Sequence, residues 1–304
     1  MSAQRVIGVD LGGTKIAAAL VGEAGELESR VERPTPVESQ DALLDGIVAA
    51  VGEAGEGGFA AVGIGVPSII DRRTRTVVGS VNIPLRDVPL ARVLEERLGV
   101  PVALENDANV ATLAEWRRGA GRGVDELLML TLGTGVGGGV VTGGALYRGW
   151  AELGHAVVVP DGPPCQGACT GRGHLEAVAS GNAADREAER LWGDGANAEL
   201  LVERAEGGDD DARSALAAIG HLLGIGIGSF ANVFGSELVV VGGGFGIAAA
   251  AFLFPPALEA LRREALPRAT ELAIVPAELG RDAGVIGAGL LAFEALAEAP
   301  RGDA

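Results

Sequence analysis

Lysine is almost missing from this sequence of 304 residues: Lys15 is the only one. Cysteine occurs twice, histidine three times and tyrosine once. Two cysteines exclude a disulfide framework and fit a reducing compartment, so a cytoplasmic protein is expected. Basic residues number 24 against 41 acidic ones, for a net charge of -17. Such a surface repels nucleic-acid phosphates and anionic membranes, and neither is an expected partner. The N-terminal M-S-A-Q-R leads directly into a strand-like run, with no apolar signal stretch. The uncharged run from Leu238 to Phe254 is shorter than the roughly 20 residues a spanning helix needs, and Gly242, Gly243 and Gly244 interrupt it. A neutral small substrate suits the chain better.

Glycine is abundant, at 49 residues, or about twice the usual share of roughly 7%. With 48% hydrophobic residues this is no disordered glycine-rich chain. The length fits two α/β lobes, with the glycines in turns where backbone meets ligand.

Two stretches share one pattern. Val6 to Val9 is apolar, D-L-G-G-T-K follows at Asp10 to Lys15, and a second apolar run spans Ile16 to Val21. Leu127 to Leu132 is again apolar and leads through G-T-G-V-G-G-G into V-V-T-G. Each reads as a hairpin around a glycine turn, and the repetition suggests two related halves. Neither turn fits the Walker or dinucleotide signatures, because a strand and not a helix follows. Their N–H groups, at Gly12, Gly13 and Thr14 in the first, can still form an anion-binding nest. Lys15 is placed either to approach phosphates or to pair with a surface carboxylate.

Further along, Ser39 can cap a helix with apolar Leu43, Leu44, Ile47, Val48 and Val51. Helical patterns cover Leu175 to Glu189, Asn197 to Arg204 and Asp210 to Phe234, and another follows G-G-G-F-G to about Glu264. Small residues in the closing helix, Asp282 to Ala297, permit close packing onto the N-terminal lobe. E-N-D at Glu105 to Asp107 lies at the carboxyl end of a strand, where ligands of open α/β sheets bind. Asp107 can serve there as a general base or as the cap of the helix that follows.

Both cysteines lie between Trp150 and Glu176, with two of the three histidines. His155, Cys165, Cys169 and His174 offer the two sulfurs and two nitrogens of a tetrahedral zinc site. The alternative is a pair of free thiols beside unrelated histidines; the ligand count and the absence of other cysteines favour zinc. Glu152 and Glu176 flank the proposed site.

Together D-L-G-G-T-K, G-I-G-V-P (Gly63 to Pro67), N-I-P (Asn82 to Pro84), E-N-D-A-N (Glu105 to Asn109), L-G-T-G-V-G-G-G (Leu132 to Gly139) and E-L-G-H (Glu152 to His155) resemble the ROK family (repressor, open reading frame, kinase). The resemblance is strongest to its bacterial glucokinase branch and runs nearly end to end. It implies an α/β, two-lobed, actin-like ATPase fold of the ribonuclease-H-like kind, here with a structural zinc loop, and with ATP and sugar in the interlobe cleft. The smaller lobe would comprise 1–107 plus 288–304 and the larger one 108–287.

In such an enzyme Asp107 would be the catalytic base. Asn82, Asn106, Glu152, His155 and Glu176 would bind sugar hydroxyls, and Asp10 would organise Mg²⁺ through water. Gly12, Gly13, Thr14 and Lys15, with Gly133, Thr134 and Gly135, would lie at the phosphates, and Gly243 and Gly244 at the adenosine. The implied reaction is phosphorylation of a hexose by ATP, with glucose foremost. Mannose, fructose, allose or an N-acetylhexosamine is the alternative substrate, and a non-catalytic sugar-responsive regulator the alternative class. A homodimer or homotetramer is the assembly such a resemblance implies.

Two departures stand out. The family's cysteine loop reads C-x-C-G-x-x-G-C-x-E, whereas here Cys165 lies two residues further upstream and His174 replaces the last cysteine. Ser68 occupies a position where the family commonly has glycine.

Overall fold

The structure, a computed structural model, describes residues 4–80 and 82–298. The chain forms two compact units, one running to Arg118 and resuming at Arg281, the other spanning Gly119 to Gly280. In the first, β1 (Val6–Leu11), β2 (Lys15–Val21), β3 (Leu27–Pro34), α1 (Gln40–Ala54) and β4 (Val62–Val66) come in order. A small antiparallel sheet of β5 (Ile69–Asp71), β6 (Thr76–Gly79) and β7 (Arg86–Val88) follows. Then come α2 (Leu90–Leu98), β8 (Val102–Asn106) and α3 (Asp107–Arg118). The main sheet has the order β3-β2-β1-β4-β8, antiparallel through its first three strands and parallel for the rest.

The second unit repeats that plan. It contains β9 (Leu127–Leu132), β10 (Val136–Thr142), β11 (Ala145–Leu146), α4 (Leu175–Ala179), α5 (Gly181–Trp192), α6 (Ala198–Glu206) and α7 (Asp210–Phe234). After them come β12 (Leu238–Gly242), α8 (Gly244–Ala248), α9 (Ala250–Glu264) and β13 (Ala273–Pro276). Its sheet order is β11-β10-β9-β12-β13, with the same sequence of antiparallel and parallel pairs. The likeness between the two glycine hairpins therefore extends to two whole sheets.

The last helix, α10 (Ala283–Glu298), belongs to the first unit. Glycine makes its seat. A Cβ at Gly8 of β1 would lie 2.0 Å from the Val285 carbonyl oxygen, and one at Gly63 of β4 would lie 1.8 Å from that of Ala288. On the helix itself, a Cβ at Gly287 would lie 1.7 Å from the Val110 carbonyl oxygen of α3. α3 and α10 share one interface, and both lie in the unit that runs to Arg118 and resumes at Arg281, beside the expected lobe bounds of 107/108 and 287/288. Gly63→Ala should cost about 3 kcal/mol or more, since a backbone oxygen cannot yield as a side chain does; urea unfolding would read it.

The second unit packs in the same manner. Cβ atoms at Gly220 and Gly224 of α7 would lie 2.5 and 2.1 Å from the Leu253 and Ala257 carbonyl oxygens of α9. By length and composition α7 can cross a membrane, yet its glycine ridge is filled by α9 as in a core helix.

Caps fall where the sequence places them for α1, where Ser39 accepts from the Ala42 N–H at 3.1 Å. The expected single helix from Leu175 to Glu189 divides at buried Ser180, whose hydroxyl accepts from the Ala183 N–H at 3.2 Å. The break frees the Gly181 N–H to donate to the Gly133 carbonyl oxygen at 2.7 Å. The helix expected to reach Glu264 likewise divides, at Ala249, into α8 and α9.

Candidate active site

The first unit gathers its polar residues at the carboxyl ends of β1, β4 and β8. Asp10 is in register with Gly65, and Gly65 with Glu105. Two interstrand spacings of about 4.8 Å each thus separate the strand of Asp10 from the one leading into Asp107. Asn106 caps α3: its Oδ1 accepts from the Ala108 and Asn109 N–H groups at 2.9 and 3.2 Å. That leaves Asn106 its amide NH₂ for a ligand. Half-buried Asp107 accepts from the Ala108 N–H at 2.9 Å but is not the residue that closes the helix end.

Glu105 was not singled out by the sequence, yet it braces this turn. Its carboxylate is buried, accepts from the Asn106 N–H at 2.9 Å and the Asn109 amide at 3.0 Å, and pairs with the Arg72 guanidinium. A charge withdrawn from water becomes costly when its partner is removed. Arg72→Ala is therefore expected to lower stability by about 2 kcal/mol, below the usual range for fully buried pairs because Arg72 is partly exposed. Denaturant melts would show it, and Arg72→Lys should recover part of the loss.

At the first hairpin the Gly12 N–H donates to the Lys15 carbonyl oxygen at 2.9 Å. Gly12 is thereby spent on the turn, and the N–H groups of Gly13 and Thr14 are the donors at its tip. Buried Thr35 fastens the turn from behind, its hydroxyl donating to the Gly12 oxygen at 2.7 Å and its N–H to the Thr14 oxygen at 3.0 Å. A Cβ on Gly13 would stand 3.0 Å from that of Asn82, so the turn and the exposed Asn82 lie side by side. The Lys15 ammonium lies 2.7 Å from Glu32 in an exposed pair that Arg30 shares, the carboxylate pairing that is one of its two sequence readings. Asp10 lies against Gly284, where a Cβ would come within 2.5 Å of its Oδ2. Loss of water raises the pKa of Asp10 above its ordinary value, although Lys15 and Arg30 pull the other way.

The second hairpin is fastened differently. The Gly133 N–H donates to the Gly135 carbonyl oxygen at 3.0 Å, leaving the N–H groups of Thr134 and Gly135 at the tip. Gln166 Nε2 donates to the Thr134 oxygen at 3.2 Å, and Asn182 Nδ2 donates to Gln166 Oε1 at 2.6 Å. Glu176 Oε2 accepts from the Val136 N–H at 3.0 Å and crowds Gly135, where a Cβ would approach it to 2.2 Å. Gly243, with φ of 82°, lies over the end of β9, and a Cβ there would meet the Leu132 oxygen at 2.4 Å. Gly244 beside it opens α8 with nothing within 4 Å of a Cβ.

The same unit brings His155, Cys165, Cys169 and His174 together, their ligand atoms all within 4.8 Å of one another. His155 Nδ1 lies 3.3 Å from His174 Nδ1 and 3.8 Å from Cys165 Sγ, and Cys169 Sγ lies 3.5 Å from His174 Nδ1. Burial, with the neighbouring Cys169 and Glu176, pushes the Cys165 thiol up to about 11 against a hydrogen bond from the Gln166 backbone. A cation would reverse that penalty. Exposed Glu152 stands just before the short 3-10 turn, Leu153–His155, that presents His155.

Ser68 is buried, and its hydroxyl donates to the Gly79 carbonyl oxygen at 2.5 Å. It therefore braces the small sheet.

The sequence matches the ROK family over residues 6–295. It is 39% identical to a glucokinase of Thermotoga maritima, over 93% of this chain and 96% of that one. A ROK hexokinase from Thermus thermophilus has a similar structure, with a TM-score of 0.86, 37% identity and coverage of 97% and 99% of the two chains. A ROK family glucokinase from Streptomyces griseus, solved in complex with glucose and AMPPNP, gives a TM-score of 0.82 at 37% identity, covering 95% and 99%. The chain belongs to the ROK family.

Proposed function

We propose that the chain is an ATP-dependent hexose kinase that phosphorylates the 6-hydroxyl of glucose. The observation that carries this reading is the contact between Gly13 and Asn82. Phosphoryl transfer needs an alcohol held against a phosphate, with little covalent work for the protein. Here a side chain suited to sugar hydroxyls abuts backbone donors suited to phosphate oxygens.

Asp107 receives the proton of the 6-hydroxyl as the oxygen attacks the γ-phosphorus; the new O–P bond forms while the bond to the bridging oxygen breaks, and ADP leaves. Asn106 supports that role by closing α3 itself. Asn82, the Asn106 amide, Glu152, His155 and Glu176 hold hydroxyls. The N–H groups of Gly13 and Thr14, and of Thr134 and Gly135, hold phosphate oxygens, with Gly243 and Gly244 beside the adenosine. Asp10 would hold Mg²⁺ through water, and the ion would neutralise charge on the phosphates. The two sheets of identical order support the actin-like, ribonuclease-H-related reading of the fold.

Zinc is the metal we assign to the Cys/His cluster. Bond lengths of about 2.0–2.1 Å to nitrogen and 2.3 Å to sulfur imply tetrahedral edges of about 3.4 Å between nitrogens and 3.6 Å between nitrogen and sulfur. Three of the separations, 3.3, 3.5 and 3.8 Å, are close to those edges, and all four ligand atoms lie within 4.8 Å of one another. The ion would brace the loop that carries Glu176 and perform no chemistry.

The test is an ADP-release assay with MgATP across glucose, mannose, fructose, allose and N-acetylhexosamines, beside elemental analysis of the purified protein. Glucose should give the highest kcat/KM, and about one zinc per chain should be found. No turnover on any sugar would end the kinase reading; active, metal-free protein would end the zinc assignment.

A further inference from the structure

Gln166 lies between two of the four metal-ligating side chains and touches the phosphate-binding hairpin. Its carbonyl oxygen accepts from the Cys169 N–H at 3.3 Å, which closes a turn from Gln166 to Cys169, with Cys165 immediately before it. Its side chain leaves that turn for the Thr134 carbonyl oxygen, 3.2 Å from Nε2. A Cβ on Gly135 would lie 3.2 Å from the same nitrogen. The amide cannot rotate freely, because Asn182 Nδ2 donates to its oxygen at 2.6 Å and so orients its NH₂ toward Thr134. The relay has a direction: Asn182 donates to Gln166, and Gln166 donates to the hairpin.

We propose that Gln166 is a positioning residue that couples metal occupancy of the Cys/His loop to nucleotide affinity at Gly133–Gly135. The proposal rests on the assignment of that hairpin to ATP phosphates. A bound metal fixes the thiol just before the turn and the one at its end, hence the turn itself, hence the point from which Gln166 reaches Thr134. Without the metal the turn is held by hydrogen bonds alone, and the Thr134 and Gly135 N–H groups are aimed less firmly. Coupling between two sites is reciprocal, so nucleotide must retain metal by the factor with which metal improves nucleotide binding. Glu176, which meets the Val136 N–H, touches the same hairpin, and a Cβ on Gly135 would meet it as well as Gln166. Because it is also assigned to the sugar, it is left unaltered in the test.

The experiment follows zinc release to a chelator from the full-length, zinc-loaded protein, with and without Mg·AMPPNP, and measures AMPPNP affinity by calorimetry on loaded and stripped protein. In the wild-type protein nucleotide should strengthen zinc retention about 5-fold or more, with a matching gain in AMPPNP affinity on loading. Gln166→Ala should bring both factors close to one, with zinc content, Tm and glucose KM kept and the KM for ATP raised. Gln166→Glu keeps the size but sets a carboxylate oxygen against the Thr134 oxygen, and should couple no better than alanine. Asn182→Ala, which frees the amide to turn, should fall between alanine and wild type and serves if Gln166→Ala folds poorly. Coupling undiminished in Gln166→Ala or Asn182→Ala would overturn the proposal while leaving the kinase reading intact. Zinc-loaded wild-type protein that binds no AMPPNP would overturn both.

Discussion

Asp107→Asn is expected to lower glucose turnover by about 10²–10⁴-fold, the span a positioned general base contributes, while the protein remains folded and binds sugar. Stability and activity separate cleanly at this position because of its neighbour. Asn106 supplies the oxygen that caps α3, with both of its bonds to Ala108 and Asn109 in place. The variant therefore keeps the helix terminus, and an amide at residue 107 can still accept a hydrogen bond through its oxygen but cannot take up a proton at neutral pH. Asn106→Ala should do the reverse. Losing the cap costs about 1 kcal/mol, with a higher KM for glucose through loss of the amide and a smaller loss of turnover through displacement of Asp107. Steady-state kinetics on glucose together with thermal melts would check both halves. Undiminished kcat in Asp107→Asn would remove the residue from the chemistry.

The contrast between residues 106 and 107 marks what the sequence makes legible. A strand end followed by E-N-D and an apolar-periodic helix places three polar side chains at one edge. Which of them caps and which faces a ligand depends on side-chain rotamers, and no spacing rule carries that information. The two hairpins were legible because an apolar run, a glycine turn and another apolar run are local. The matching sheet order was not, since the pairings of β4 with β8 and of β12 with β13 join strands far apart in the chain. β3 gives no strand signal: L-E-S-R-V-E-R-P has no continuous apolar face, and it forms because β2 offers it an open edge.

The fastening residues escaped notice for a related reason. Thr35, Arg72, Gln166 and Asn182 are ordinary polar residues in loops or at helix starts. Each acquires a role only when the fold brings a distant carbonyl or carboxylate to it. The signal that could have exposed Gln166 was its place between two cysteines already suspected as ligands. Lys15 shows the converse. As the only lysine, beside a glycine turn, it invites a phosphate role, and the fold adds what the sequence could not show, an exposed pairing with Glu32 diagonally across β2 and β3.

Asp10→Asn should change activity and stability in opposite directions. The amide no longer carries the charge proposed to organise Mg²⁺ and its waters, and removal of such an electrostatic element typically costs about 10²–10³-fold in kcat. Stability should rise. In the folded chain loss of water holds the Asp10 pKa above its ordinary value of 3.8, outweighing the pull of Lys15 and Arg30. A carboxyl with a raised folded-state pKa makes the folded chain retain a proton that the unfolded chain has already lost. Its contribution is therefore neutral below the unfolded value, and it subtracts stability as pH rises from about 4 through the folded value. Wild-type protein free of Mg²⁺ and nucleotide should lose stability over that window through this group, and Asp10→Asn should lack that component and melt at a higher temperature at pH 7. Bound MgATP favours the charged carboxylate, so nucleotide should stabilise wild type more than the variant. Tm measured against pH, with and without MgATP, tests each part; a variant that melts lower than wild type at neutral pH would show that the charge at residue 10 is already well compensated by Lys15 and Arg30.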